Sequence, residues 1–394
     1  RFDRDTSPLL PALRTSAIHA DLNDNNVLVG GGNDLYSRGQ QVVGIVDFGD
    51  MVHSYTVGDL AIAAAYVTLN ATDPLAAVAS LVRGHHATFP LTGAEHTALF
   101  GLIALRLSMS ACIAADQLRQ EPGNEYLYID QAAIRRVLPA LARIPTGLAT
   151  AVFRDACGLE PVPSSTRVRA WLAANTSTFA PVLGVDLRSE PCTVLDLSVG
   201  SPHVNGDERE NAEPMLTRRV ADVLAESGAQ IAIGRYDEPR LVYTAPFFAT
   251  GPGPNDEWRT IHIGLDLFAA AGTPVYAPMA GTIHAFAENH AVQDYGPVIV
   301  LKHATDDGTE FFTLHGHLSR ESLAGKSVGR KVARGEQFAT LGAPDVNGGW
   351  TPHLHLQLIT DNLELGHDFP GVAPASQRTA WRSISPDPNL IVGI

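Results

Sequence analysis

The spacing of hydrophobic residues divides the chain into two differently built parts. From about 55 to 150, apolar residues recur with helical spacing in runs such as DLAIAAAYVTL, HTALFGLIALRLSMSACIAADQL and QAAIRRVLPALARI. From about 240 onward, short β-forming runs such as PVYAP, GPVIVLKHA and HLHLQLI are separated by Gly, Asp, Asn and Pro. The pattern predicts a multidomain protein of mixed α and β class, with a mainly α part followed by an antiparallel β part.

The segment between these parts combines stretches of different composition. It contains a helix-forming run (RVRAWLAAN), a short apolar run (CTVLDLSV) and a polar stretch, SPHVNGDERENAEP. We therefore expect a connector that packs on one or both neighbours. The expected boundaries are 1–150 for the α domain, 151–240 for the connector, 241–375 for the β domain and 376–394 for a tail.

Composition limits the classes of partner. The 394 residues are 45% hydrophobic and 18% charged, which is enough for two or three packed cores. The net charge of -14 is spread along the chain, which argues against binding to nucleic acid or anionic lipid. The densest apolar run, 60–69, is too short to span a bilayer, so we expect no membrane span. We therefore expect the partners to be small molecules or peptides.

The cysteines indicate a reducing compartment. Cys112, Cys157 and Cys192 stand far apart without CxxC spacing, so neither a disulfide framework nor a thiolate zinc site is predicted. No signal peptide is visible, and a cytoplasmic location is expected. The chain opens on Arg1 inside what reads as a domain, so we expect its N-terminus to be incomplete.

The first candidate site lies in IHADLNDNNVLV at 18–29. His19, Asp21 and Asn26 form an H-x-D-x-x-x-x-N arrangement, and Asp47 follows the apolar run VVGIV in a D-F-G triplet. Kinase chemistry needs an aspartate near the acceptor hydroxyl, and an asparagine and a second aspartate to hold magnesium against the phosphates. The alternative is an Asn/Asp-rich hairpin loop without catalytic function.

These residues resemble the aminoglycoside, choline and hydroxylysine kinase-like phosphotransferases over roughly 1–150. The resemblance implies that Asp21 is the catalytic base and that Asn26 and Asp47 hold Mg²⁺ beside ATP. It also implies that His19 supports the loop. Asp59 matches a helix-start aspartate of that family, and a simple helix N-cap is its alternative role.

The resemblance does not include the family's nucleotide-binding lobe. In the family, that lobe places well over a hundred residues before the catalytic loop, whereas eighteen residues precede His19 here. We expect the chain to hold the C-terminal lobe alone and to show no phosphotransferase activity by itself.

The second candidate site draws on three β segments. Strand alternation places His353, His355 and Gln357 on one face of HLHLQLI, opposite its leucines. In HIGLD, His262 and Asp266 are expected on one face of a single strand. Two imidazoles and a carboxylate, with a fourth position open, are a hydrolytic zinc pattern. The other histidines of this part are expected to be structural or exposed: His284, His290, His303 and His367.

These motifs resemble the lysostaphin-like, LytM-type zinc metallopeptidases over about 241–375. The resemblance implies that His262, Asp266 and His355 bind zinc. It implies that His317, in GHLS, and His353 flank the open position as catalytic residues that orient water and stabilise the oxyanion.

His315 departs from that family, which usually carries tyrosine there. The TLHGHLS run is expected to place His315 on the same strand face as His317, within reach of the metal. It would then either donate a hydrogen bond behind the metal ligands or close the tetrahedron as a fourth ligand, which would make the zinc structural.

The order of the parts resembles bacterial fusion proteins in which a class III aminotransferase-like domain follows. The tail SPDPNLIVGI would be the junction to that domain. The implied functions are hydrolysis of a peptide or wall fragment and phosphorylation of a small amino alcohol or related hydroxyl compound. The alternative is a binding module that uses its zinc or ligand site to serve the other domains of the fusion enzyme.

Overall fold

Helices build the first compact unit of the computed structural model, Arg1–Pro161. They are α1 (Phe2–Asp5), α2 (Val57–Leu69), α3 (Pro74–Thr88), α4 (Gly93–Gln120), α5 (Gln131–Arg143) and α6 (Thr146–Ala156). Two antiparallel strand pairs accompany them: β1 (Thr15–Ile18) with β4 (Val52–Tyr55), and β2 (Val27–Gly30) with β3 (Gln41–Ile45). The small side chains of Ala64 and Ala65 are buried where α2 packs against α4.

Helix α4 starts at a capping box. The Thr92 side chain accepts the Glu95 N–H, and the Glu95 carboxylate accepts the Thr92 N–H in return. Among the described residues, α4 alone is long and apolar enough to cross a membrane. Its Glu95 and Arg106 form ion pairs within the unit, with Arg14 and Asp21. Part of its apolar surface, including Leu99 and Ile103, packs in the core, whereas Met109 and Ile113 are exposed.

The second compact unit, Val162–Ile394, is built on strands. Its helices are α7 (Ser165–Asn175), α8 (Glu208–Asn211), α9 (Met215–Ser227), α10 (Arg378–Ile384) and α11 (Asn389–Val392). Its strands are β5 (Cys192–Leu195), β6 (Ile231–Gly234), β7 (Glu238–Pro239), β8 (Arg259–His262), β9 (Leu265–Phe268), β10 (Pro274–Tyr276), β11 (Gly281–Asn289), β12 (Gly296–Ala304), β13 (Glu310–Gly316), β14 (Lys331–Val332), β15 (Gln337–Thr340), β16 (His353–Ile359) and β17 (Val372–Pro374).

The largest sheet has the order β14-β11-β12-β13-β16-β9-β6-β5, and its neighbours are antiparallel except for the parallel pair β5 and β6. A smaller sheet has the order β17-β8-β7, and β10 pairs with β15. The predicted order of a mainly α part followed by an antiparallel β part is confirmed. The structure describes residues 1–34, 36–37, 39, 41–124, 128–205, 207–251, 253 and 256–394.

The two faces of the large sheet differ in polarity because strand side chains alternate. On β16, Leu354 and Leu356 belong to the apolar core cluster, whereas His353 and His355 point to the other face. There His355 lies directly opposite Asp266 of the neighbouring strand β9. The predicted alternation along HLHLQLI is confirmed, and it places the polar side chains together.

Candidate metal centre and catalytic loop

Three buried side chains converge on the polar face of the large sheet. His262 ends β8, Asp266 lies on β9 and His355 lies on β16. His262 Nε2 lies 3.1 Å from His355 Nδ1 and 3.2 Å from Asp266 Oδ1, and the last two atoms are 3.1 Å apart. The three side chains that the sequence predicts as metal ligands therefore form one compact triangle.

Hydrogen bonds on the outer side of each ring indicate where the imidazole protons lie. His262 Nδ1 lies 2.9 Å from the Arg235 carbonyl oxygen, so this nitrogen carries the proton. His355 Nε2 donates to Gln357 Oε1 at 3.1 Å, because the Gln357 amide nitrogen is turned to the Pro370 carbonyl. Both rings consequently present a lone pair to the centre of the triangle, beside the Asp266 carboxylate.

The triangle has the dimensions of a zinc site. Tetrahedral zinc with nitrogen and oxygen ligands at about 2.0–2.1 Å has ligand–ligand separations of about 3.3 Å. The separations of 3.1–3.2 Å between the His262, Asp266 and His355 donor atoms match this value. Three lone pairs facing one another without a proton between them repel, and a cation at the centre removes that repulsion. These residues fit zinc.

His262 and Asp266 do not share one strand, which corrects the expectation for HIGLD. The chain leaves the β17-β8-β7 sheet after His262 and enters the large sheet at Leu265. Gly264 lies at this crossing, where an added Cβ would stand 2.3 Å from His355 Cε1. The crossing brings the two side chains together, and glycine leaves space for the third ring.

A buried ion-pair network lies behind the triangle. Arg240, which is 3% exposed, donates through Nη1 to Asp266 Oδ2 at 2.6 Å and through Nε to Glu238 Oε2 at 2.8 Å. Burial opposes ionisation of Asp266, but neighbouring His262 and Arg240 hold its pKa well below the usual value. Arg240 thus occupies one oxygen of Asp266 and leaves the other for a metal.

The sequence reasoning missed Arg240 and Glu238. Both lie well before the HIGLD motif, and short-range spacing carries no sign that they reach Asp266. The same holds for the Arg235 carbonyl, which accepts both the His262 ring N–H and a weaker bond from Arg240 Nη2 at 3.2 Å. These contacts became visible only through the fold.

Two further histidines stand beside the triangle. His353 Nδ1 donates to the Thr351 carbonyl at 2.6 Å, and His317 Nδ1 donates to the Asn347 carbonyl at 2.8 Å. Their ring centroids are 4.3 Å apart, and His353 Nε2 lies 3.7 Å from Asp266 Oδ1. Burial lowers the pKa of both rings, so both are neutral at pH 7 with a lone pair on Nε2.

A cavity of about 370 Å³ opens over these five residues. Aromatic side chains form much of its wall: Tyr243, Phe247, Phe248, Phe268, Tyr295, Trp350 and Phe369. Arg259 also lines it and donates to the Phe247 carbonyl. The site is therefore a pocket with apolar walls and a polar floor, which suits a peptide better than a strongly anionic ligand.

His315 does not belong to the metal face, and that expectation was wrong. On β13 it pairs with Leu356 of β16, and its ring lies 4.9 Å from the Phe338 ring in the apolar core. His317 adopts the left-handed conformation with φ 61°, which ends the strand alternation after Gly316. His315 and His317 therefore point in different directions, and His315 can be neither a fourth ligand nor a donor behind the ligands.

Two of the catalytic-loop candidates in the first unit, Asp21 and Asn26, also come together. Asn26 Nδ2 donates to the Asp21 carbonyl oxygen at 2.9 Å and to its carboxylate at 3.1 Å. Arg106 of α4, which the motif did not predict, donates to the other Asp21 carboxylate oxygen at 2.9 Å. Asp47 is exposed with φ 63°, an uncommon conformation for a residue other than glycine that often marks functional sites.

Asp59 anchors this loop. Its carboxylate accepts the backbone N–H groups of His19 and Ala20, both at 2.8 Å, and His19 Nε2 bonds to the Val46 carbonyl at 2.9 Å. Thr56 occupies the N-cap position of α2, so the alternative role of Asp59 as a simple N-cap was wrong. Asp59 joins the helix to the loop, and His19 joins the loop to the strand before Asp47.

Sequence comparison finds that each part is similar to an enzyme family. Residues 260–365 match the profile of Peptidase family M23, and residues 1–98 match that of the Phosphotransferase enzyme family. Over 130 residues the chain is 37% identical to mouse (Mus musculus) hydroxylysine kinase, covering 32% of this chain and 35% of the mouse protein. The chain therefore spans about a third of the length of that relative.

The second part has its own relatives. Over 96 residues the chain is 33% identical to an uncharacterized metalloprotease of Haemophilus influenzae, covering 24% of this chain and 18% of that protein. The structure is also similar to the catalytic domain of the antimicrobial peptidase lysostaphin from Staphylococcus simulans. That match has 24% identity and a TM-score of 0.25, and covers 37% of this chain and 90% of the lysostaphin domain.

Proposed function

We propose that the second unit is a zinc-dependent peptide hydrolase in which His262, Asp266 and His355 hold the metal. One observation carries the proposal: three buried acceptor atoms lie 3.1–3.2 Å apart with their lone pairs directed at one another. Zinc held there would supply an activated water and would polarise a substrate carbonyl. The open cavity above the triangle leaves room for a peptide.

The proposed roles of the neighbouring residues follow from their protonation. His317 and His353 are neutral, and backbone carbonyls hold their Nδ1 protons, so each ring keeps Nε2 available. A proton taken up at one Nε2 creates an imidazolium that stabilises negative charge on the carbonyl oxygen. The same proton can then pass to the leaving amine. The apolar walls exclude bulk water and strengthen these interactions.

Metal content and hydrolysis together test this proposal. His355→Ala should lose the zinc ion of the triangle, which elemental analysis would show as one zinc fewer per chain, and should lose activity. His353→Ala should keep the zinc content of the unaltered protein and lose hydrolysis of glycine-containing peptides. Arg320→Ala, at an exposed ion pair away from the triangle, is the control and should change neither. Equal loss of zinc in both histidine variants would show that His353 is a ligand. Zinc binding without hydrolysis of any tested peptide would favour the non-catalytic binding module.

We propose a second function for the first unit, phosphorylation of a small amino alcohol such as hydroxylysine when the unit is joined to a nucleotide-binding lobe. The contact between Asn26 and the Asp21 carboxylate, and the anchoring of the loop by Asp59, support it. Asp21 would be the base, and Asn26 and Asp47 the ligands of Mg²⁺ with ATP. Both activities are proposed to operate in the cytoplasm, where ATP is present.

Substrate-dependent ATP consumption by a protein that includes both lobes tests the second function. Asp21→Asn should abolish ADP release with hydroxylysine, while Asp24→Asn, in the same loop, should leave at least half of it. Retention of full activity in Asp21→Asn would contradict the assigned base. Absence of activity with hydroxylysine and ethanolamine in the unaltered protein would contradict the substrate class.

A further inference from the structure

A second cluster of metal-binding side chains lies in the first unit. His86 belongs to the last turn of α3, His96 to the first turns of α4, and Cys157 follows the end of α6. Each contributes a nitrogen or sulfur atom, and these atoms lie within 4.8 Å of one another. The ends of three helices that are separate in sequence therefore meet at two imidazoles and a thiol.

The ring of His96 lacks the partners that a buried imidazole normally has. His96 is 0% exposed, and within the described part of the chain neither Nδ1 nor Nε2 has a hydrogen-bond partner. An unsatisfied buried polar atom costs about 1–3 kcal/mol. A metal ion that accepts the lone pair of one nitrogen would remove part of this cost. A metal ion bound to His96 would therefore explain this unpaired ring better than side-chain packing does.

The other two side chains each have a hydrogen-bond partner. The Cys157 thiol makes a long contact of 3.9 Å to the Val82 carbonyl, and His86 Nδ1 accepts the Leu91 N–H in an ordinary bond of 3.1 Å. Metal binding would require His86 either to exchange that bond for coordination or to turn its ring. His86 and Cys157 are half-buried, which leaves a route from solvent. Arg154 lies near enough to favour the Cys157 thiolate, although burial raises the pKa of this thiol.

We propose that His86, His96 and Cys157 bind a second zinc ion, independent of the peptidase site. Imidazole and thiolate together are a common donor set for zinc, and the thiol proton passes to solvent as the ion binds. Zinc with these donors needs ligand separations of about 3.3–3.6 Å, so the side chains must move together by roughly 1 Å. The ion would tie the ends of α3, α4 and α6 together, with its fourth position left to water.

The test uses the full chain with His355→Ala, which removes the peptidase metal. Zinc alone is titrated, and Co²⁺ is added in parallel because a cobalt–thiolate bond gives a charge-transfer absorption. We expect one zinc per chain and that absorption in the His355→Ala background. Adding Cys157→Ser should remove the absorption and lower zinc affinity at least tenfold. Adding Cys112→Ser, an exposed cysteine on α4, should change neither.

Folding is checked by far-UV circular dichroism of each variant without metal. Zinc should raise the melting temperature of the Cys112→Ser variant more than that of the Cys157→Ser variant. Serine is used because its side chain is close to cysteine in size and shape. No zinc uptake in the His355→Ala background would overturn the proposal, as would uptake unchanged by Cys157→Ser. Uptake of Cu(I) but not zinc would overturn the assignment of the ion. None of these results depends on peptidase activity.

Discussion

The contact between Arg240 and Asp266 gives the sharpest test of how the triangle of His262, Asp266 and His355 is positioned. Arg240 is the cation nearest the Asp266 carboxylate, at 2.6 Å, and its Nε bonds Glu238 at 2.8 Å. Each of the three side chains is 3–4% exposed. Arg240→Met retains most of the side-chain volume but removes the arginine partner of Asp266, whereas Glu238 keeps its second partner, Arg235, at 2.8 Å.

The expected loss of stability is large because the side chains of Arg240, Glu238 and Asp266 are buried. Removing one partner of a buried ion pair costs about 3–5 kcal/mol, since the remaining charge has lost its compensation. With a urea m value of about 2 kcal/mol/M, the unfolding midpoint of the metal-free protein should fall by about 1.5–2.5 M. Zinc affinity should also fall, by about 10–100-fold, because Asp266 loses the bond that orients it.

The tryptophans make this measurement specific to one unit. Trp171, Trp258, Trp350 and Trp381 all lie within Val162–Ile394. Tryptophan fluorescence during urea titration therefore reports unfolding of the second unit alone. Zinc affinity is measured separately by competition with a chromophoric chelator.

Arg320→Met is the matched control. Arg320 also pairs with a glutamate, Glu288, but its side chain is 56% exposed, so the change should leave the urea midpoint nearly unchanged. Combining Arg240→Met with Glu238→Gln should cost less than the sum of the single changes, because both single changes weaken the same Arg240–Glu238 contact. A metal-free Arg240→Met protein as stable as the control would refute the reasoning.

Three further changes test other contacts. Gly264→Ala should displace the His355 ring and lower zinc affinity at least tenfold, whereas Gly200→Ala, which has open space around it, should not; calorimetric titration that finds equal affinities would contradict this. Asp59→Ala removes the acceptor of two backbone N–H groups and should cost the first unit about 2–4 kcal/mol. Hydrogen exchange at those amides measures the loss, and unchanged protection would count against the anchor. Burial lowers the pKa of His315 to about 3, below its unfolded value of about 6.5. Its contribution to stability is therefore complete above pH 6.5 and falls by about 2 kcal/mol between pH 7 and pH 5. His315→Leu should reduce the pH dependence of the urea midpoint by that amount, and an unaltered dependence would exclude this origin.

Local periodicity was enough to predict much of the second unit. Alternation along β16 placed His353 and His355 on one face, because a regular strand has a fixed period of two. The same rule failed after Gly316, where the left-handed backbone of His317 breaks the period. It failed also for HIGLD, because the chain changes sheets between His262 and Asp266. Periodicity predicts side-chain direction only while an element continues.

Contacts between distant segments were beyond this kind of prediction. Arg240, Arg106 and Cys157 acquire their partners through tertiary packing, and none stands in a recognisable motif. Their chemistry depends on burial, which the sequence near each residue does not reveal. An exposed arginine and Arg240 look alike in the sequence, but the energetic consequences of losing them differ several-fold.

The metal triangle depends on residues that lie outside the segment matched by the peptidase family. Strand β6 pairs with β9 so that Gly234 lies opposite Asp266, and the next residue supplies the carbonyl that fixes the proton of His262. Arg240 then reaches back to the second oxygen of Asp266. An added Cβ on Gly234 would stand 2.8 Å from Arg240 Nη2 and 3.1 Å from Asp266 Cβ, so a side chain here would push the buried Arg240 away from Asp266. The lone pairs that His262 and Asp266 direct into the triangle are thus set by the stretch 234–240, which makes that stretch part of the candidate site and not merely a link to it.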